Sequence, residues 1–277
     1  MTAASMAVLE DCFVVNPRLD ADVRMLMFHH AGGSALSLLP LARATRSDVE
    51  VRLIELPGRG LQEQVPAAET FDAALGLLLD RTSTLFDRPT VLFGHSLGGL
   101  LADALARALS EQARAQLRLV VVSACEYRPA AADPLPVAPP PAQRGYEDLV
   151  RELVVHGGTP REVFDSPELL ARSVRLLGHD MRLVDSYVPR SGSAGPSVPY
   201  EIWYGTEDPT VVPRPAPTWS SGDRGPVRVR RFPGGHFYLL DETGSAARAL
   251  NESLRAVVDA VHARRRTGQV PVAREGR

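Results

Sequence analysis

The chain is organised around one stretch, Pro89-Thr90-Val91-Leu92-Phe93-Gly94-His95-Ser96-Leu97-Gly98-Gly99-Leu100-Leu101-Ala102. An apolar run typical of a β-strand leads into the pattern G-x-S-x-G and then into an Ala- and Leu-rich segment that favours a helix. Glycines at positions 94 and 98 let the two backbones pass closely, because they carry no Cβ atom. Ser96 is then raised out of the sheet on a sharp turn, which is where a nucleophilic serine stands. The alternative is a plain Gly-Ser turn between a strand and a helix.

Composition restricts the class of protein. The chain has 277 residues, 44% of them hydrophobic and 23% charged, which suits one large α/β domain with an insertion. A net charge of −2 gives no electrostatic reason to expect a nucleic acid or a membrane as partner. All 31 basic residues are arginine. The lack of lysine excludes Schiff-base enzymes, Walker phosphate loops and serine–lysine hydrolases.

The first eleven residues and the two cysteines give no sign of a signal peptide, a disulfide or a metal site. Residues 1–11 show neither the basic nor the apolar region of a signal peptide, and no run of about 18 apolar residues occurs, so we expect a cytoplasmic location. Cys12 and Cys125 match no metal-ligand spacing and no disulfide framework. We therefore expect no metal and no cofactor, and we separately expect a monomer.

Strand and helix patterns alternate along the chain, which predicts an α/β fold with a mostly parallel central sheet flanked by helices. A basic tail, 264–277, is expected to be flexible. The predicted strands are 12–15, 23–28, 49–56, 90–93, 117–124, 200–204 and 227–232, and the predicted helices outside the insertion are 71–86, 97–114 and 245–262.

Residues 128–190 form a predicted helical insertion within this domain. It opens with six prolines between 129 and 141, which read as an extended linker. An apolar stripe then begins at Tyr146 and stops at Gly157, and a longer helix begins at Ser166-Pro167. We predict that these helices form a lid over the carboxyl edge of the sheet, where α/β proteins place their sites. The alternative is a packing appendage with no role in access.

A serine nucleophile needs a base and a carboxylate, and both are found downstream. Asp208 follows a predicted strand, and His236 lies in a glycine-rich loop after the next one. This is the chain order Ser, Asp or Glu, His that serine enzymes with this elbow use. Asp208 is favoured, although spacing alone does not separate it from Glu207. The alternative for Asp208 is an Asp-Pro turn in which the side chain bonds its own backbone.

The second strand ends in the loop His29-His30-Ala31-Gly32-Gly33-Ser34, which predicts an oxyanion hole made by the backbone N–H groups of Ala31 and Leu97. The loop also reads as a helix N-terminus capped by Ser34, which is compatible with that role. His29 and His30 lie upstream of the serine and are not favoured as the base. The remaining histidines fall on predicted helices and are expected to be structural or exposed: His156, His179 and His262.

These residues predict acyl transfer to water. His236 takes the proton of Ser96 and later returns it to the leaving group, Asp208 holds the imidazole in its tautomer, and the two N–H groups bind the oxyanion. The prediction is therefore a serine hydrolase acting on an ester, a thioester or an amide.

The chain resembles the type II thioesterases that accompany polyketide and nonribosomal peptide synthases, which have the α/β-hydrolase fold. The resemblance covers residues 28–239 and rests on motifs in the family's order, namely Phe28 to Ala35, Glu55-Leu56-Pro57-Gly58-Arg59, Gly94 to Gly99, Gly178 to Tyr187, Gly205 to Asp208 and Gly234 to Leu239. It implies an acyl substrate on the phosphopantetheine arm of an acyl carrier protein, and a role in removing stalled chains.

Two positions depart from that family's usual pattern. His29-His30 replaces a Pro-aromatic pair, and Leu97-Gly98-Gly99 replaces Met followed by Gly-Ala. The first departure alters the polarity expected for the pocket, whereas the second leaves the backbone donor in place. Three alternatives remain open: a small-molecule carboxylesterase with the same triad, a catalytically silent protein that binds an acylated partner, and acyl transfer to an alcohol or amine.

Overall fold

The computed structural model describes residues 6–9, 12–17, 20–125, 144–188, 197–211 and 225–267. Their strands are β1 Met6–Leu9, β2 Cys12–Val15, β3 Val23–Phe28, β4 Val49–Ile54, β5 Thr90–His95, β6 Leu117–Ser123, β7 Tyr200–Gly205 and β8 Val227–Phe232. Their helices are α1 Leu39–Arg43, α2 Phe71–Thr82, α3 Leu97–Ala108, α4 Glu111–Arg114, α5 Tyr146–His156, α6 Arg161–Phe164, α7 Pro167–Asp185, α8 Tyr238–Asp241 and α9 Thr243–Arg266.

The strands form one sheet of eight in the order β1-β2-β4-β3-β5-β6-β7-β8. Strands β3 to β8 run parallel, and β1 and β2 complete one edge in antiparallel pairing. This confirms the predicted α/β fold with a mostly parallel sheet. The strand order reverses between β3 and β5, and the crevice beyond the carboxyl ends of strands at such a point is where α/β sheets bind ligands.

Helices cover both faces of the sheet, which explains why its central strands are apolar throughout. Every residue of β3 and β5 is buried. One face packs against α1, α8 and α9, through side chains such as Leu41 and Leu250. The other face packs against α2 and α3, through side chains such as Leu78 and Leu101. Burial on two sides removes the alternation of polar and apolar residues that a half-exposed strand shows.

The helices α5, α6 and α7 lie in the chain between β6 and β7, and we call them the insertion helices. They have a small apolar core of their own, formed by Leu149, Leu153, Val174 and Leu177. Ser166 caps α7 as predicted, accepting a hydrogen bond from the N–H of Leu169 at 3.4 Å. The proline-rich stretch 129–142 lies outside the described residues.

Some boundaries differ from the predicted ones. The helix predicted over 97–114 is two helices, because Leu109 has an extended ψ of 143° and Ser110 caps a new start at Glu111. The helix predicted over 71–86 is α2, which ends at Thr82 and continues as a 3-10 turn, Ser83–Phe86. The last helix extends to Arg266, which lies within the range predicted as a tail. Among the described helices, none is both long and apolar enough to span a bilayer. The cytoplasmic location stays a prediction.

Candidate active site

Ser96 stands on the sharp turn between β5 and α3. Its backbone has φ 55° and ψ −120°, a conformation that costs a non-glycine residue energy and is typical of a nucleophile elbow. The turn is held by a hydrogen bond from the Ser96 N–H to the Ser123 carbonyl at 2.8 Å. A Cβ atom at Gly94 would lie 1.9 Å from the Gly98 carbonyl oxygen, and one at Gly98 would lie 2.1 Å from the Phe28 carbonyl oxygen. Both glycines are therefore required by close backbone contact.

Asp208 and His236 are brought together from the loops that follow β7 and β8. The Asp208 Oδ2 atom lies 2.8 Å from His236 Nδ1. Its other oxygen, Oδ1, accepts hydrogen bonds from the Thr210 N–H at 2.9 Å and the Thr210 hydroxyl at 2.6 Å. The Asp208 side chain is fully buried, whereas Glu207 is exposed. The structure thus pairs His236 with Asp208 and not with its neighbour.

The environment of Asp208 keeps it charged. Burial alone raises the pKa of this carboxyl, but the hydrogen bonds with His236 and Thr210 outweigh burial and hold the pKa below its usual value of 3.8. An ionised carboxylate at Nδ1 places the imidazole proton on Nδ1, which leaves Nε2 as the ring nitrogen able to accept a proton. His236 and Ser96 line the same cavity.

The predicted oxyanion loop lies at the end of β3, beside the elbow. Gly32 has φ 73°, a left-handed conformation that favours glycine, and the Gly33 N–H closes the turn on the His30 carbonyl at 3.2 Å. Ala31 and Leu97 both line the cavity that holds Ser96. Ser34 precedes a 3-10 turn, and its N–H donates to the Ser37 hydroxyl at 3.1 Å.

Two histidines of this loop are buried and neutral. Burial lowers the pKa of His29 to about 3 and that of His30 to about 4. The Nδ1 atoms of His29 and His30 lie 2.8 and 2.9 Å from the carbonyls of His30 and Ala31 respectively. The His30 ring packs edge-on against Phe237, with centroids 4.7 Å apart. These contacts give the two imidazoles a role in shaping the loop.

His156 was expected to be structural or exposed, and the structure adds that it forms part of the cavity wall. Its ring centroid lies 5.3 Å from that of His236. The Nε2 atom lies 2.8 Å from the Glu152 carboxylate one turn earlier on α5, and this hydrogen bond raises the pKa of His156 above 6.5. The pairing at i and i+4 is visible in the sequence, but the position beside His236 is not.

A buried ion pair joins the insertion helices to the loop after β4. Arg59 and Asp180 form two hydrogen bonds of 2.6 Å, and their side chains are 2% and 0% exposed. Arg59 also donates to the Gly33 carbonyl at 2.9 Å, and the Gly32 N–H donates to Asp180 at 2.7 Å. Both residues belong to motifs that are visible in the sequence, but their contact is not, since they lie 121 positions apart.

The cavity has a volume of about 1010 Å³ and lies between the carboxyl end of the sheet and the insertion helices. Ser96 and His236 lie on the sheet side, and the insertion helices contribute polar side chains as well, among them Glu152, His156 and Arg172. The insertion helices supply much of the apolar wall, which includes Leu153, Val163, Leu177, Met181 and Val184. A mainly apolar chamber with Ser96 and His236 in one wall is suited to an acyl chain whose reactive carbon lies beside those two residues.

Comparison with known proteins finds one matching family model and several similar proteins. The family model described as Thioesterase domain matches residues 23–254. The probable cadicidin biosynthesis thioesterase of Streptomyces griseus is 30% identical over 235 residues, 84% of this chain and 62% of that protein. Phenyloxazoline synthase MbtB of Mycobacterium tuberculosis is 27% identical over 83% of this chain, which corresponds to only 16% of its own length. The chain therefore spans less than two thirds of these relatives.

A solved structure shares both fold and sequence with the chain. The type II thioesterase BorB from the borrelidin biosynthetic cluster is 29% identical and superposes with a TM-score of 0.72. The match covers 85% of this chain and 94% of BorB.

Proposed function

The chain belongs to the thioesterase domain family, and from that premise we propose that it hydrolyses acyl thioesters through an acyl-serine intermediate. The observation that carries the proposal is the pairing of buried Asp208 with His236, at 2.8 Å, in the wall of a cavity that also holds the strained Ser96. A serine that only forms a turn between a strand and a helix does not require an Asp–His pair in the same cavity. An Asp-Pro turn in which Asp208 bonds only its own backbone does not account for the hydrogen bond between Asp208 and His236.

In the proposed reaction, His236 Nε2 removes the proton from the Ser96 hydroxyl as Oγ attacks the thioester carbon. The carbonyl π electrons move to oxygen and form a tetrahedral oxyanion. When the carbonyl re-forms, the C–S bond breaks and His236 returns its proton to the thiolate. Water, deprotonated by the same imidazole, then attacks the acyl-serine carbon. The C–Oγ bond breaks and His236 returns the proton to Oγ, which releases the carboxylic acid and free Ser96. Asp208 stabilises the imidazolium that forms in both steps.

The oxyanion is assigned to the N–H groups of Ala31 and Leu97. Leu97 is the first residue of α3, so its N–H has no acceptor within the helix and lies at the positive end of the helix dipole. One such donor contributes about 3–4 kcal/mol to stabilising the transition state. Glycines at 32 and 33 keep side chains away from this point of the loop.

We further propose that the substrate is an acyl group on the phosphopantetheine arm of a carrier protein or synthase module, and that the insertion helices act as a lid. The relatives support this, since one is named a biosynthesis thioesterase and BorB comes from a biosynthetic cluster. The apolar cavity beneath α5 and α7 suits an acyl chain. Removal of stalled chains in secondary-metabolite biosynthesis is the role that fits such a substrate, and the protein is proposed to act as a monomer.

Two measurements test the proposal. An activated acyl thioester is expected to leave an acyl group on Ser96, seen by mass spectrometry as an adduct that Ser96→Ala abolishes and Ser37→Ala retains. Ser37 is the matched control because it lines the same cavity away from the elbow. No adduct and no turnover with any donor would support a silent binding protein instead.

The second measurement compares an acyl-pantetheine thioester with its oxygen ester, each at several chain lengths. We expect a higher kcat/KM for the thioester, and a further gain when the acyl group is presented on a carrier protein. A strong preference for the oxygen ester would make the protein a carboxylesterase. Product analysis with added alcohols and amines detects transfer, and an ester or amide as the main product would contradict hydrolysis.

A further inference from the structure

A carboxylate of helix α7 binds directly to the predicted oxyanion loop. Asp180 Oδ2 accepts the Gly32 N–H at 2.7 Å, one residue from the proposed donor Ala31. The same carboxylate is held by two hydrogen bonds from Arg59, whose Nη1 also donates to the Gly33 carbonyl at 2.9 Å. We call this set of contacts the Asp180 clamp. It fixes a donor and an acceptor of the loop at consecutive residues.

Apolar contacts reinforce the clamp at the same place. The backbone of Gly32 passes so close to α7 that a Cβ atom there would lie 3.2 Å from Leu177 Cβ. Ala31 packs against the core of the insertion helices, which includes Leu177. Leu177 and Asp180 are three residues apart on α7 and so lie on one face of it. The face of α7 that meets the loop therefore combines an apolar contact with a charged one.

Docking α7 does not by itself require this buried charge. An apolar residue in place of a buried ion pair is often equally stable or more stable, because both charges lose their hydration. The carboxylate adds what an apolar side chain lacks, a fixed acceptor for the Gly32 N–H. That bond sets the peptide orientation next to Ala31.

We propose that Asp180 is a positioning residue for catalysis, and that docking of α7 through the Asp180 clamp completes the oxyanion hole. This rests on the proposed function. The insertion helix α7 is then part of the catalytic frame, and any movement that undocks it takes the oxyanion hole apart while leaving Ser96, His236 and Asp208 in place.

Two variants and one control separate positioning from lid stability. Asp180→Asn keeps the shape but places an amide nitrogen against Arg59. The double variant Asp180→Leu with Arg59→Met removes both charges together and leaves the Gly32 N–H without its acceptor. The control, Glu63→Gln, removes the charge from another contact between α7 and the rest of the domain, the exposed pair of Arg172 and Glu63 at 3.0 Å.

Three readouts are measured on the full chain: kcat and KM for an acyl thioester, the inhibition constant of a trifluoromethyl ketone analogue whose adduct carries an oxyanion, and the rate at which a fluorophosphonate labels Ser96. We expect the double variant to lose about 100-fold in kcat, with KM changed less than about 3-fold, and Asp180→Asn, whose amide oxygen still accepts the Gly32 N–H, to lose less. The ketone affinity and the labelling rate are expected to fall in parallel. Glu63→Gln is expected to behave as the wild type.

A folded double variant with unchanged kcat, or with a reduced kcat but unchanged ketone affinity, would overturn the proposal. So would an equal loss in Glu63→Gln. If neither variant folds, hydrogen exchange in the wild type decides: the clamp requires the Gly32 amide to exchange as slowly as the amides of α7, and exchange at the rate of an open loop contradicts it. A wild type that labels with fluorophosphonate but cleaves no thioester would refute the proposed function alone, because the labelling rates still test the clamp.

Discussion

Replacing Asp208 by asparagine is expected to reverse the tautomer of His236. The Asp208 Oδ1 atom accepts both the N–H and the hydroxyl of Thr210, so the amide oxygen of asparagine takes that place. The amide NH₂ then occupies the Oδ2 position, 2.8 Å from His236 Nδ1, and donates to it. His236 must carry its proton on Nε2 instead, where it is no longer able to accept the Ser96 proton.

The size of the effect has two sources. An ionised carboxylate about 4 Å from the imidazolium stabilises it by about 4 kcal/mol at an effective dielectric constant of about 20, which corresponds to about 10³ in rate. The wrong tautomer adds to this, and the corresponding change in a serine protease triad lowers kcat about 10⁴-fold. We expect Asp208→Asn to lower kcat by about 10³- to 10⁴-fold, with little change in folding, since the amide fits the same space.

The assay follows thiol release from an acyl-pantetheine thioester, with thermal unfolding as the check on folding. Glu207→Gln is the matched control, because Glu207 precedes Asp208 and is exposed. It is expected to keep wild-type turnover. A folded Asp208→Asn protein that retains more than about a tenth of the wild-type kcat, or a large loss in Glu207→Gln, would refute the reasoning.

Three further predictions follow from packing and charge. Gly98→Ala places a Cβ 2.1 Å from the Phe28 carbonyl oxygen and is expected to lower the free energy of unfolding, measured in urea, by about 3 kcal/mol. Gly76→Ala, with open space at its Cβ, is expected to stabilise helix α2 by about 1 kcal/mol. Equal effects of the two substitutions would contradict the close-contact argument. Burial raises the pKa of Glu55 from 4.5 to about 7, so the protonated carboxyl favours folding fully below about pH 4.5 and this contribution is lost as the pH rises through about 7. Between pH 5 and pH 8, the free energy of unfolding of Glu55→Gln is therefore expected to rise by up to about 3 kcal/mol relative to that of the wild type, measured by chemical unfolding at both pH values. The same dependence of unfolding free energy on pH in the two proteins would argue against this. Met181→Trp puts a larger side chain in the apolar wall and so narrows the cavity. It is expected to lower kcat/KM for a dodecanoyl thioester about 10-fold more than for a propionyl thioester. An equal fall for both chain lengths would place Met181 away from the acyl chain.

The expectations that depend on neighbouring residues agree with the structure. Gly94 and Gly98 predicted the close crossing of β5 and α3, because steric exclusion of a Cβ acts within a few residues. Ser166 predicted the start of helix α7, because a cap bonds an N–H three residues on. The parallel sheet was predictable for a similar reason, since burial on two faces leaves an apolar strand.

Boundaries proved less predictable where local signals compete. The segment 97–114 has continuous helical composition, yet Ser110 offers a cap within it and the helix restarts there. The expectation for His156 was incomplete because the helical pattern shows which residues share a face but not what the face meets. Its contact with the His236 ring depends on how the insertion helices dock.

By itself, the sequence determined the turn at Ser96, the α/β order of the strands and helices, and the loops that hold Asp208 and His236. Only the tertiary structure decided that Asp208 and not Glu207 meets His236, and that Asp180 of the insertion binds Arg59 and the Gly32 N–H. Steric limits and periodic burial act between near neighbours and leave a mark in the chain. Which carboxylate is buried against which donor depends on the packing of elements far apart in sequence, and only their assembly fixes it.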